Sequence, residues 1–175
     1  MVLSIGYNKI KTAVFISGTG SNLKSLIKFS KTNKSPISIE FIVSNNPKAK
    51  GLNYAKVYKI KKKVLNFQNK DSSENKLLHI LKKNNIEMIC LAGFMKILSK
   101  NFTKKFRGKI INIHPSLLPK FKGLNTHKRA IKNNENYSGC TVHYVTSKLD
   151  SGKIILQKKL KIKKNDTVYS LQKKI

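Results

Sequence analysis

Acidic side chains are scarce in this 175-residue chain. Seven Asp and Glu stand against 37 Lys and Arg, which leaves a formal net charge of +30. Arginine is scarcer still: only Arg107 and Arg129 occur, and every other basic residue is lysine. This balance favours polyanionic partners and nonspecific nucleic-acid binding at low salt. It argues against a dedicated reader of bases, because base edges and phosphate clamps draw on the planar fork of arginine. The lysines fall on nearly every predicted surface beside many Asn and Ile, as an AT-rich coding bias produces, so charge alone identifies no function. Cysteine is nearly absent too. Cys90 and Cys140 stand inside apolar runs with no CxxC spacing, so nothing suggests a disulfide framework or metal knuckle, and they read as two small buried thiols. No stretch approaches the roughly 18 consecutive apolar residues of a membrane span. The N-terminal MVLSIGYNKIK has neither the basic region nor the long apolar core of a secretion signal, so a cytoplasmic location is expected. No repeat or low-complexity tract interrupts a chain of about one domain in length.

What is present alternates. KTAVFIS (11–17) is an apolar strand that ends in GTGSN, and SNLKSLIKFSK follows with Leu23, Leu26 and Ile27 on one helical face. ISIEFIVSNN (37–46) is a second strand, stopped by Asn-Asn-Pro. A short helix over Ala49 to Val57 and a strand KKKVLNF come next, then a helix in DSSENKLLHILKKNN with Leu77, Ile80 and Leu81 inward and Asp71 to Glu74 as its capped start. EMICLAGF and KIINIH are the fourth and fifth strands. Strands alternating with helices predict an α/β fold with a Rossmann-like, mostly parallel sheet flanked by helices. After Pro119 a short helix, THKRAIKNN, precedes two longer strands, YSGCTVHYVT and GKIILQKKLKI, separated by SKLDSG. These predict an antiparallel C-terminal extension of the sheet. The expectation is an N-terminal extension over 1–10 and a single domain over 11–175. NDTVYSLQKKI reads as a helix capped at Asp166 and cut off in mid-run, since no Gly or Asn stop follows Ile175.

Three constellations carry chemistry. SGTGSNLKSLI is a glycine-rich turn between strand and helix, suited to holding a phosphate on free amides, with Ser21 and Asn22 as added donors. It is no dinucleotide fingerprint, because Leu23 stands where GxGxxG needs glycine, and it lacks the GK[ST] of a nucleotide P-loop. Asn112 and His114 lie two apart on a strand, so both face one side, and Pro115 turns the chain there. Open α/β sheets place ligands at such carboxyl ends. Asp150 lies in the turn SKLDSG; if it reaches His114, it orients the imidazole and favours its protonated form. His127 and His143 show no metal-ligand spacing, and no metal is expected.

Together, FISGTGSNLKSLI, LAGFMKILS, INIHPSLLPKFKGLNTHKRAI and GCTVHYVTSKLDSGKIILQ resemble the phosphoribosylglycinamide formyltransferases of purine biosynthesis, from about Lys11 to Ile175. The resemblance implies a formyltransferase fold and transfer of a formyl group from 10-formyltetrahydrofolate to the amine of 5-phosphoribosylglycinamide, with both small molecules as partners and neither nucleic acid nor membrane. It implies that Gly20, Ser21 and Asn22 hold the ribose phosphate. Met95, Lys96, Ile97 and Leu98 would line the folate pocket with Asn112, and Thr146, Ser147, Lys148, Leu149 and Asp150 would close over the pterin. Lys70 falls where the family commonly has a folate-binding Arg, keeping the charge but losing the fork. Asn125 stands where some members have His. Catalysis is assigned to Asn112, His114 and Asp150: the first two would stabilise the oxyanion, and His114 would protonate the departing folate nitrogen. No metal or covalent intermediate is needed. The family continues beyond Ile175 with a Glu-His pair, so the resemblance implies a chain truncated at its C-terminus. The tRNA formyltransferases and the formyltetrahydrofolate deformylases are neighbouring readings, set aside because GSN follows the first strand and KGLNTH replaces an RG-containing continuation.

Overall fold

The computed structural model describes residues 8–175, so Met1 to Tyr7 of the expected N-terminal extension lie outside the described residues. The chain forms two compact units, one up to Lys109 and one from Ile110 to Ile175.

In the first unit, β1 (Ile10–Ile16) is buried continuously from Thr12 to Ile16, the pattern of a strand covered on both faces. It pairs in parallel with β2 (Ile37–Ser44) on one side and β4 (Met88–Leu91) on the other, and β2 pairs in parallel with β3 (Lys61–Val64). The sheet order is therefore β3-β2-β1-β4, with the exposed Lys61, Lys62 and Lys63 on the outer strand, where charge discourages edge-to-edge association. Helix α1 (Ser21–Ser30) buries Leu23 and Ile27, while Leu26 is half-buried. The expected helix over 49–57 is a 3₁₀ turn at Lys50–Leu52 followed by the five-residue α2 (Asn53–Val57). Helix α3 (Lys70–Lys83) buries Leu77 and Leu81, and its cap is Asn69, whose side chain accepts from the Ser72 amide. The cap thus lies two residues before the expected Asp71. Glu74 is instead turned inward, where it accepts from the Ser99 amide at 2.8 Å and from the Ser99 hydroxyl. Ser99 in turn caps α4 (Lys100–Lys105). Cys90 is buried, and burial pushes its thiol up to about 11, so little thiolate exists at neutral pH.

In the second unit, β5 (Lys109–His114) pairs antiparallel with β6 (Tyr137–Tyr144), which pairs antiparallel with β7 (Ile154–Lys161). The strands of the chain are thus mostly parallel, with the antiparallel set last. Helices α5 (Thr126–Lys132) and α6 (Val168–Lys174) complete the unit. The cap of α6 is Thr167, in a reciprocal capping box with Ser170, rather than the expected Asp166. Asp166 stands one residue earlier and accepts from the Lys163 amide, the Ser170 hydroxyl and Lys174. Leu171 is fully buried while Val168 is exposed. Cys140 is half-buried, contrary to the expectation of two buried thiols.

The buried set of this unit is unusually polar: His114, Ser116, Thr126, Ser138, Thr141 and His143 all lie inside. Thr141 explains part of it. Its hydroxyl donates to the Ser116 carbonyl at 2.6 Å and accepts from the Leu118 amide and Gln157 Nε2. That uses the full capacity of a hydroxyl and ties the turn after β5 to β6 and β7. Thr141→Val keeps the volume but strands these partners, so a loss of about 2–3 kcal/mol is expected, read as a lower urea midpoint.

Candidate active site

Within the second unit, the register of β5 against β6 sets Asn112 opposite His143 and His114 opposite Thr141. Asn112 and His114, two apart on one strand, point to the same face, and that face meets the turn carrying Asp150. Asp150 adopts a left-handed conformation, with φ 44°, a region that aspartate tolerates better than most residues. Its Oδ2 accepts from the Gly123 amide at 2.8 Å and lies 3.4 Å from His114 Nδ1. Its Oδ1 lies 3.4 Å from Asn112 Nδ2 and 3.6 Å from His143 Nε2. One carboxylate therefore faces three polar side chains. The structure brings Asn112, His114 and Asp150 together, as the sequence led us to expect.

His143 is the addition. Its Nδ1 donates to the Tyr144 carbonyl at 2.9 Å, and its Nε2 lies 3.1 Å from Asn112 Nδ2. With the Nδ1 proton placed there, Nε2 of the neutral ring is free to accept from Asn112. A protonated ring would instead donate Nε2–H to Asp150, and the Asn112 amide would have to turn. The Asn112 contact is the shorter of the two. Nothing in a lone histidine of YSGCTVHYV announced this role; cross-strand register against Asn112 is the signal, and it requires knowing which strands pair.

His114 is only 4 % exposed, and both ring nitrogens are engaged: Nε2–H donates to the Phe121 carbonyl at 2.9 Å, and Nδ1 faces Asp150. Two acceptors thus flank the ring, one at each nitrogen. The Phe121 carbonyl is held in place by unassigned residues. Arg129 donates to the Lys122 carbonyl at 2.6 Å and lies 5.2 Å over the Phe121 ring, while Ser116 donates to the Lys120 carbonyl. Burial by itself would raise the pKa of Asp150. Contacts with His143, the Gly123 amide and His114 outweigh it, and the carboxyl sits below its ordinary value.

The glycine-rich turn belongs to the first unit. Gly20 precedes α1 with φ 75°, and no side chain caps the helix, so the amides of its first turn are left for a ligand. Ser21 and Asn22 are exposed at its start. Gly20 and Gly51 pack backbone to backbone, and a Cβ on Gly51 would lie 3.0 Å from the Gly20 Cα. Gly51→Ala is therefore expected to shift the nest and weaken binding of a phosphorylated substrate about tenfold. The measurement is KM against kcat, with kcat nearly unchanged.

The residues assigned to folate differ among themselves. Met95 and Ile97 are 62 % and 57 % exposed, and Lys96 is exposed, whereas Leu98 is only 4 % exposed and packs into the core. The Met95 amide donates to Ser17 Oγ at 2.7 Å, fixing the start of that loop. Thr146, Ser147, Lys148 and Leu149 are exposed on the turn leading to Asp150. Lys70 is exposed as the first residue of α3, where the helix dipole opposes its charge.

Comparison with known proteins identifies the family of the chain. A family model described as formyl transferase matches residues 10–175. The phosphoribosylglycinamide formyltransferase of Haemophilus influenzae is 42% identical over 93% of this chain and 78% of its own length. The human trifunctional purine biosynthetic protein adenosine-3 is 41% identical over 95% of this chain, which spans only 17% of that longer protein. Among solved structures, the phosphoribosylglycinamide formyltransferase of Anaplasma phagocytophilum matches with a TM-score of 0.88 and 40% identity, covering 95% of this chain and 78% of that one. With an asparagine, a histidine and an aspartate gathered on one strand end and turn, and with matches that run almost its whole length, this chain belongs to the formyl transferase family, among the phosphoribosylglycinamide formyltransferases.

Proposed function

We propose that this chain transfers a formyl group from 10-formyltetrahydrofolate to the amine of 5-phosphoribosylglycinamide, giving the formylglycinamide ribonucleotide and tetrahydrofolate. The observation that carries this reading is the Asp150 carboxylate set against Asn112 and His114. The amine lone pair attacks the formyl carbon, and its oxygen gains negative charge. Asn112 Nδ2 turns one N–H from its long contact with Asp150 to that oxygen, and His114 exchanges its Phe121 acceptor for the reacting group. Each such donor contributes typically about 2.7–4 kcal/mol to the transition state. As the bond from formyl carbon to folate N10 breaks, His114 delivers a proton to N10. The ring then takes up the proton shed by the former amine, which restores its charge. Asp150 holds the imidazole in orientation throughout.

Gly20, Ser21 and Asn22 are assigned the ribose phosphate through their amides. Lys70, Met95 to Ile97, Asn112 and Thr146 to Asp150 are assigned to the folate. Leu98 supports that loop from the core rather than lining an open pocket.

The deciding experiment supplies 10-formyltetrahydrofolate with 5-phosphoribosylglycinamide, initiator Met-tRNA or water as alternative acceptors. Formylation of the ribonucleotide alone is the expected result. Formylation of the tRNA, or simple hydrolysis, would replace this reading with one of the neighbouring activities.

A further inference from the structure

From Met1 to Lys70 the chain holds one carboxylate, Glu40, among fourteen lysines. Within that stretch the charge has a pattern. Lys24, Lys28 and the C-cap residue Lys31 are exposed and continue one stripe of α1 at intervals of four and three residues, apart from the Leu23–Ile27 stripe that enters the core. Lys24 Nζ lies 6.0 Å from the centre of the Tyr54 ring, and Lys31 Nζ lies 4.8 Å from that of Tyr58. The two half-buried rings are 6.3 Å apart on neighbouring turns at α2. Among the described residues, the lysines in ion pairs with carboxylates are Lys120 and Lys174, both in the other unit. The α1 stripe therefore keeps its full field.

We propose that this face of the first unit, Lys24, Lys28 and Lys31 with Tyr54 and Tyr58, binds single-stranded nucleic acid without sequence preference. Two requirements of such binding meet here: a cationic track for the backbone and aromatic faces on which bases stack. Lysine is a strongly hydrated point charge that neutralises phosphates without the planar fork used to read guanine, so the face discriminates strand from duplex rather than one sequence from another. The lysines now over the rings swing to phosphates, and the freed ring faces receive bases. The face adjoins the glycine turn, since Tyr54 lies against Gly20, but this binding does not depend on formyl transfer.

The test measures binding of a fluorescein-labelled oligo(dT) by anisotropy across a salt series that includes about 0.15 M. Lys24→Glu/Lys28→Glu/Lys31→Glu is expected to weaken binding at least about tenfold and to lower the salt slope by about 2, three phosphates at about 0.7 each. A control of equal charge change on α4, Lys100→Glu/Lys104→Glu/Lys105→Glu, is expected to lose less than about threefold. Tyr58→Leu is expected to weaken binding about fivefold with an unchanged slope, because stacking releases no counterions. Should the triple variant fail to fold, the single exposed substitution Lys28→Glu carries the same comparison against Lys104→Glu. Equal losses in the α1 and α4 variants would mean that overall charge binds and would overturn the site. Full affinity in Tyr58→Leu overturns it as well. So does binding to phosphatidylserine vesicles that oligo(dT) fails to displace, which would assign the face to a membrane.

Discussion

His114→Ala is expected to lower kcat by about 10²–10⁴-fold, the range of a general acid, while KM for both substrates changes less than about threefold. The reason lies in what the ring touches. His114 is the side chain with one nitrogen toward Asp150 and the other toward a backbone carbonyl, so its protons are positioned but not committed to a structural helix or strand bond. Alanine removes the proposed donor to the oxyanion and to N10 in one step, and it leaves the Phe121 carbonyl and Asp150 without their partner. The second consequence costs about 1–3 kcal/mol of stability, so urea unfolding of the variant separates lost chemistry from lost fold. Near-normal kcat in a folded His114→Ala protein would remove the proposed mechanism.

Asp150→Asn is expected to reduce kcat by a comparable factor, about 10²–10⁴, because an amide cannot hold the charged imidazole as the carboxylate does. The substitution is otherwise mild. Asparagine tolerates the left-handed backbone at 150, and its amide oxygen still accepts from Gly123. The same change has a signature in stability against pH. The carboxyl of Asp150 sits below its ordinary value in the folded protein. It therefore contributes stability that is complete above the unfolded value of about 3.9 and is lost as pH falls through the folded value. Asp150→Asn removes that contribution, so its urea midpoint should fall less between pH 6 and pH 3 than that of the parent. Parallel profiles would show that Asp150 is not the ionised partner described here.

The main elements were legible because apolar residues recur at periods that local geometry enforces. β1 is an unbroken apolar run, and Leu23 with Ile27, or Leu77 with Leu81, can face one side only in a helix. Termini were read less well. Asp71 and Asp166 have the right chemistry for caps, but the caps are Asn69, two residues before Asp71, and Thr167, one residue after Asp166. Glu74 was drawn away to Ser99 by a contact 25 positions along the chain.

By itself, the sequence determined the alternating α/β order, the glycine turn before α1, and the presence of Asn112, His114 and Asp150, because turn chemistry and the two-residue strand repeat act over a few neighbouring residues. Only the tertiary structure decided that His143 faces Asn112, that Gly51 abuts Gly20, that Leu98 points into the core, and that the Gly123 amide meets Asp150 and the Phe121 carbonyl meets His114. Those contacts join residues far apart in the chain, and they depend on strand register and backbone approach, which no local pattern encodes.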